Sequence, residues 1–370
     1  MKQSRARRGG IDSPSGRWPF QGCSGLKRLT YALPVIRIAD VAAHAGVSVG
    51  TVSNVLNRPH AVAPATRQRV HAAITHLGYV PNEAARSLAA GRRRAIGLIV
   101  PDVTNPFFAD LTRGAEQVAD QRDVVVMLYS SGESGEREAR YFDRLESQRV
   151  QGILASPVHE AVPAVTDLAR RGTPVTLVDR GSSRRDLCCV SVDDHTGGRL
   201  AAEHLIATGH RRLAFIGGPL SIPQVAARLA GAHAICAAAG ATLEVIETET
   251  VSVVTGRGVG AALAGRSASA RPDAVFCAND LLALGLLQAV SGHGLRVPAE
   301  LAIVGYDDID YAAAAAVPLT SVRQPRTELG RVAAELLFEE IAEPGQHRHR
   351  QVVFQPELVV RQSSGSTPAA

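Results

Sequence analysis

Between Ile38 and Leu77, apolar residues recur at helical spacing in three short bursts. Ile38, Val41, Ala42 and Ala45 fall at i, i+3, i+4 and i+7 and form one stripe. Gly46 is placed to stop that helix and Ser48 to cap the next. On the second helix Val52, Val55 and Leu56 share a face, while Gly50 and Asn54 point the opposite way, flanked by Thr51 and Ser53. A third helix starts with Pro64 in its first turn, buries Val70, Ala73, Ile74 and Leu77, and stops at Gly78. Two helices joined by a tight glycine turn, the second presenting small polar side chains, predict a helix-turn-helix.

From Ala95 onward the rhythm changes. The runs IGLIV (96–100), VVVML (124–128), GILAS (152–156), PVTLV (174–178), LAFIG (213–217), AVFCA (274–278) and LAIVG (301–305) alternate with helical stretches, such as those starting near Phe107 and Gly135. Buried runs joined by crossover helices predict doubly wound parallel sheets, and about ten such units require two lobes.

Charge separates the same two regions. Residues 1–94 hold fifteen Lys and Arg against three Asp and Glu, whereas the remainder holds 25 against 32. The modest overall +5 therefore hides a basic head of +12 and an acidic body of −7, the asymmetry that a phosphate backbone selects. No apolar run exceeds strand length, so no membrane span is expected. Residues 1–34 mix Arg, Gly and Ser without apolar periodicity or the apolar stretch of a secretory signal. They are expected to be a disordered and dispensable extension, with Val35 standing where an alternative start would lie. The five cysteines (Cys23, Cys188, Cys189, Cys236, Cys277) are odd in number and lack CxxC spacing. They read as reduced cysteines of a cytosolic protein, with no metal or redox role.

Several motifs imitate catalysis. Gly46 to Gly50 fits the GxSxG pattern, but that chemistry needs a strand before the serine, and here a helix precedes it. Ser48 is expected to cap a helix and touch phosphate. Gly256 to Ala261 fits a loose dinucleotide loop, yet lies deep in the second lobe. Asp193-Asp194 and Asp307-Asp308 sit at strand ends, where neighbouring residues face opposite ways, so neither pair presents two carboxylates to one bond. His347 and His349 lie in a turn rich in Pro, Gly and Arg and read as solvated surface. No catalytic residue, metal ligand or cofactor is expected, and the chain is not expected to be an enzyme. The strand ends suit binding better. Asp179 in TLVDR can accept hydroxyls, and Phe107 and Phe108 can wall a sugar ring.

The string from Asp40 to Asn57, DVAAHAGVSVGTVSNVLN, resembles the head of the lactose-repressor (LacI/GalR-type) family of bacterial transcription regulators. The resemblance runs from about Val35 to Ser364. It implies an all-α helix-turn-helix head (35–81), a hinge helix and linker (82–94), and a periplasmic-binding-protein-like α/β core (95–364). The chain would cross between the core lobes near Asp193, Ser321 and Phe354, giving lobe 1 residues 95–192 and 322–353 and lobe 2 residues 193–321 and 354–364. It implies DNA contacts from Ser48, Val49, Gly50, Thr51, Ser53, Asn54 and Asn57, with base preference set by Val49 and Asn54. Leu88 from each hinge would wedge into the minor groove. Arg228 in AARLAG, Asp307 in VGYDD and Asn279 in CAND match effector positions of the family.

Two function classes compete. One is a cytoplasmic, nucleoid-associated repressor that binds double-stranded palindromic operator DNA as a homodimer or tetramer and is switched by a small-molecule effector, a sugar or sugar derivative. The other is a sugar-binding or enzymatic α/β protein without DNA function, which predicts a signal peptide or a catalytic constellation. The sequence shows neither, and the regulator reading is preferred. Trp18 is the one tryptophan and lies in the extension, so the family's tryptophan sugar platform is missing from the core.

Overall fold

The computed structural model describes residues 36–80, 95–157, 163–182 and 184–365. They fall into two units, Met1–Ala90 and Gly91–Ala370. The expected extension (1–34) and the hinge with Leu88 (82–94) lie outside the described residues.

In the first unit α1 (Ile38–Ala45), α2 (Val49–Asn57) and α3 (Pro64–Leu77) follow one another, with a 3-10 turn at Pro59–Ala61. Their stripes close on one core. Val41, Val52 and Val70 are fully buried, joined by Ala42, Ala45, Val55 and Ala73. At roughly 1.5–3 kcal/mol per buried valine, these contacts rather than helix propensity hold helices this short. Ile74 and Leu77, expected inside, are only half-buried against that core. Gly46 (φ 64°) and Gly78 (φ 63°) end α1 and α3 in the left-handed conformation, which costs glycine no steric penalty.

The second unit holds two six-stranded sheets. The first comprises β1 (Ala95–Val100), β2 (Val125–Ser130), β3 (Ile153–Ala155), β4 (Val175–Val178), β5 (Cys188–Val192) and β11 (Gln351–Phe354), in the order β11-β5-β4-β3-β1-β2. The second comprises β6 (Arg212–Gly217), β7 (Thr242–Glu247), β8 (Ala274–Cys277), β9 (Ala302–Asp307), β10 (Thr320–Arg323) and β12 (Glu357–Val359), in the order β12-β10-β9-β8-β6-β7. Neighbours run parallel except β12, which is antiparallel to β10.

Helices α4 (Pro106–Asp120), α5 (Gly135–Ser147), α6 (Pro163–Arg170) and α12 (Arg326–Ala342) belong to the first lobe. Helices α7 (Asp194–Ala207), α8 (Pro223–Ala239), α9 (Val253–Ala264) and α10 (Asp280–Gly292) belong to the second, with the short α11 (Asp310–Ala314) after β9. Helices on both faces explain why β4, β8 and β9 bury every residue. The edge strands β2 and β7 keep exposed positions, and β7 alternates too weakly to be read as an apolar run.

In each sheet the winding direction reverses between the first and third strands, β1/β3 and β6/β8. Beyond the carboxyl ends of strands at such a point, a doubly wound fold leaves a crevice. The chain changes lobe after β5, after β10 and between β11 and β12. Val322 and Arg323, expected in lobe 1, instead extend β10 of lobe 2, paired with Leu358 and Glu357. The ladder runs on until Gln324 and Pro325, where proline has no N–H to give it.

The loose dinucleotide motif forms no phosphate loop, in line with its place deep in the second lobe. Gly256 lies inside α9, where a Cβ would sit 2.2 Å from the Leu282 carbonyl oxygen of α10. It is a helix-packing glycine.

Candidate functional site

Because α2 turns Val52 and Val55 inward, its opposite side carries Val49, Gly50 and Asn54. Val49 keeps 45% of its surface exposed. Ser48 caps the helix, its Oγ accepting from Thr51 N at 3.1 Å and lying 2.9 Å from Thr51 Oγ1. The Asn57 amide donates to Ser53 Oγ at 3.3 Å. Asn54 is exposed, and its side chain makes no hydrogen bond among the described residues. An amide so placed can pair with the N6/N7 edge of adenine. The GxSxG pattern lacks its nucleophile-elbow setting, since the element directly before Ser48 is the helix α1 and the one after it is α2.

In the two-lobed unit, Phe107, Phe108, Asp179, Arg228, Asn279 and Asp307 all line one cavity. Each arrives from a strand end or the helix that follows. Phe107 and Phe108 occupy the first turn of α4, which Asn105 caps by accepting from Phe107 N at 3.0 Å. Asp179 follows β4 and Asp307 ends β9. Arg228 lies on α8, and Asn279 caps α10, accepting from Leu282 N at 2.9 Å and donating to the Val251 carbonyl at 3.1 Å.

Arg228 is held on three sides. Its Nε donates to Asp194 Oδ1 at 2.8 Å and its Nη1 to the Ala278 carbonyl at 2.7 Å, while the guanidinium carbon sits 3.6 Å from the Tyr306 ring centroid. The two side chains of the ion pair are only 8% and 11% exposed. Nη2 meets no acceptor among the described residues. Burial alone would lower the Arg228 pKa, but Asp194, Tyr306, Asp307 and Asp179 outweigh it and keep the guanidinium charged.

Two glutamines that sequence reasoning missed join this set. Gln224 of lobe 2 donates to the Asp179 carbonyl at 2.5 Å and to Asp179 Oδ2 at 3.3 Å, bridging the lobes. Gln324, in the second crossover, donates to Asp307 Oδ1 at 2.7 Å. Both Oε1 atoms are buried with no partner among the described residues. Gln224 precedes Arg228 by four residues, so the i, i+4 rule could have found it. Gln324 carried no such signal.

Burial, reinforced by the Asp194 charge, pushes the Asp179 carboxyl up to about 7. Burial pushes Asp307 up to about 6, with Arg228 and Gln324 pulling the other way. Both residues have positive φ, 57° and 105°, a conformation costing about 1–3 kcal/mol and concentrated at functional sites.

The remaining motif residues disperse. Asp193 caps α7, accepting from Thr196 N at 2.9 Å, while Asp194 turns to Arg228. Asp308 points away from Asp307 to Arg361 and Arg323, at 2.6 and 2.7 Å. His347 departs from its expected solvated setting. Its side chain is 6% exposed, because the turn folds onto Cys188 and places Nε2 3.1 Å from the sulfur.

A helix-turn-helix unit and a two-lobed unit whose inter-lobe cavity combines apolar walls with charged and amide side chains define a ligand-responsive DNA-binding protein. Residues 37–82 match the model of bacterial regulatory proteins, lacI family, and residues 202–364 match the periplasmic binding protein-like domain. The chain is 33% identical over 338 residues to the HTH-type transcriptional regulator DegA of Bacillus subtilis (strain 168), covering 88% of this chain and 97% of that protein. It is 35% identical over 312 residues to the ribose operon repressor of Escherichia coli (strain K12), covering 84% and 94%. Among solved structures, the lac repressor dimer bound to operator and the anti-inducer ONPF gives a TM-score of 0.76 at 27% identity, covering 90% of this chain and 99% of that one. The chain belongs to the LacI family of bacterial regulatory proteins. It is a DNA-binding transcription regulator and not an enzyme. Among the described residues no helix is long and apolar enough to cross a membrane.

Proposed function

We propose that the chain is a repressor that binds a near-palindromic operator as a homodimer and is switched by a sugar or sugar derivative held between its lobes. One observation carries this reading: Arg228 is fixed in advance, with Asp179, Asp307, Asn279 and two unpartnered glutamine oxygens around the same cavity. Ring hydroxyls would donate to the carboxylates and glutamine oxygens and accept from Arg228 and Asn279, with Phe107 and Phe108 against the apolar ring face. The names of the relatives support it, one a repressor of a ribose operon and one a dimer on its operator.

On DNA, one recognition helix reads only a few base pairs, so a two-fold pair supplies useful affinity. Val49 and Asn54 would read bases, with Ser48, Thr51, Ser53 and Asn57 near the backbone and Leu88 as the minor-groove wedge. Head (35–81), hinge (82–94) and core (95–364) would act in series, at the nucleoid in the cytoplasm. Coupling is reciprocal: operator changes effector affinity by the factor that effector changes operator affinity.

The test combines selection of bound DNA from a random pool with a thermal-shift screen of sugars. The expected result is a palindromic consensus occupied by dimer, and a sugar that raises the core midpoint and shifts operator affinity in the native chain but not in Asp307→Asn. A monomer on one asymmetric half-site, or no sugar that moves both readouts, overturns the proposal.

A further inference from the structure

Away from the inter-lobe cavity, three metal-ligating side chains meet on the first lobe. Cys188 opens β5, and His347 and His349 lie on the segment between α12 and β11. The Cys188 sulfur is 3.1 Å from His347 Nε2 and 3.8 Å from His349 Nδ1, and the three ligand atoms all lie within 4.8 Å of one another. Glu340, near the end of α12, brings Oε2 to 4.0 Å from His349 Nδ1. That oxygen is buried and has no hydrogen-bond partner among the described residues.

We propose that Cys188, His347 and His349 form a zinc site on the first lobe, with the buried Oε2 of Glu340 beside His349. In a tetrahedral centre with Zn–S of about 2.3 Å and Zn–N of about 2.05 Å, sulfur and nitrogen stand about 3.6 Å apart. The two observed separations bracket that value. A thiolate and two imidazoles form a ligand set that suits zinc, leaving one position of the tetrahedron open, and disfavours magnesium or calcium. The outer shell fits as well. His347 Nδ1, on the far side of the ring from the sulfur, lies 4.0 Å from Glu339 Oε2, and a carboxylate there orients a ligating imidazole. Arg350 pairs with that same Glu339, and its backbone N–H donates to the Cys188 sulfur at 3.3 Å.

The location gives the ion a structural task. Cys188 and the segment entering β11 stand at the amino ends of their strands, opposite the strand ends that line the effector cavity. A bound ion would pin the 343–350 connection to β5 and so fix β11, the last strand before the chain returns to the second lobe.

The experiment uses the full chain, free of any affinity tag, reduced, stripped with chelator and titrated with Co²⁺ alone. One equivalent should bind with a thiolate-to-cobalt charge-transfer band and the strong visible bands of a tetrahedral centre, and Zn²⁺ should displace it. Cys188→Ala should lose the charge-transfer band, and His349→Gln should weaken binding by about 100-fold. Zinc should raise the thermal midpoint of the native chain and of neither variant. If Cys188→Ala does not fold, His349→Gln decides alone, since that side chain is already 26% exposed. No charge-transfer band in the native chain, a band that persists in Cys188→Ala, or unaltered affinity in His349→Gln overturns the proposal.

Discussion

The two lobes share one strand order and place an aspartate with positive φ after the same strand, Asp179 after β4 and Asp307 at the end of β9. Around those aspartates they differ. Lobe 2 locks a buried arginine against Asp194, a carbonyl and an aromatic ring. Lobe 1 offers two phenylalanines set edge to face at 5.0 Å. A duplicated scaffold thus repeats the position of a cavity-lining carboxyl, while the residues around it differ. Lobe 2 holds fixed charge, and lobe 1 sets two aromatic rings against the same cavity.

The largest break in that comparison should come from Arg228→Ala. Removing one partner of a buried ion pair strands the other charge at a cost of about 3–5 kcal/mol, read as a lower urea midpoint. Removing Asp194 as well should restore part of it. The lobe 1 counterpart, Arg171→Ala, breaks a 2.6 Å pair with Glu146 whose side chains are 51% and 32% exposed, and should cost less than about 1 kcal/mol. Equal losses would remove the contrast between the lobes.

A pH titration of stability separates the two aspartates. Both carboxyls are raised above the ordinary 3.8, so between these values the folded chain holds protons that the unfolded chain has released. Stability therefore falls as pH climbs, by up to about 1.4 kcal/mol per pH unit for each group, and this loss is complete once pH passes the folded values of about 6 and about 7. Against the native chain, Asp179→Asn should lose the part of the decline that runs to about pH 7, and Asp307→Asn the part that ends near pH 6. Denaturant midpoints across pH 4–8 check this, and parallel curves for both variants would refute it.

Helix packing gives a smaller effect. A Cβ at Gly198 would lie 2.0 Å from the Arg228 carbonyl, and one at Gly114 would lie 1.9 Å from the Thr327 carbonyl. Alanine at either should cost about 1–3 kcal/mol by overpacking. Gly198→Ala should weaken effector binding more in calorimetric titration, because it displaces the backbone that carries the guanidinium. The smallest effect belongs to the paired caps. Asn105→Ala should cost about 1 kcal/mol, and Asn279→Ala somewhat more, since it also loses the bond to Val251. Thermal midpoints order the two.

What was legible in the chain was local. Helical stripes, glycine stops, a serine cap and buried apolar runs are set by periods of 3.6 and 2 and by backbone sterics, and these identified the head and most strands before any contact was known. The strand-end rule likewise pointed to Asp179 and Asp307. Neighbouring residues of the same type were another matter. Asp194 and Asp193, Asp308 and Asp307, Asp280 and Asn279 read alike in sequence, yet one of each pair faces the cavity or its arginine and the other serves a cap or a support. Asp280 is wholly buried, accepting from Ile309 N and Ser321 Oγ at 2.8 and 2.6 Å. Gln324 and the Cys188–His347–His349 cluster were equally silent, because their partners lie 17 to 161 residues away. Sequence determines which side chains stand at the end of an element through local geometry. Which of them meet is decided by packing between distant elements, where a turn of about 100° per residue on a helix or a reversal on a strand sends adjacent side chains to different neighbours.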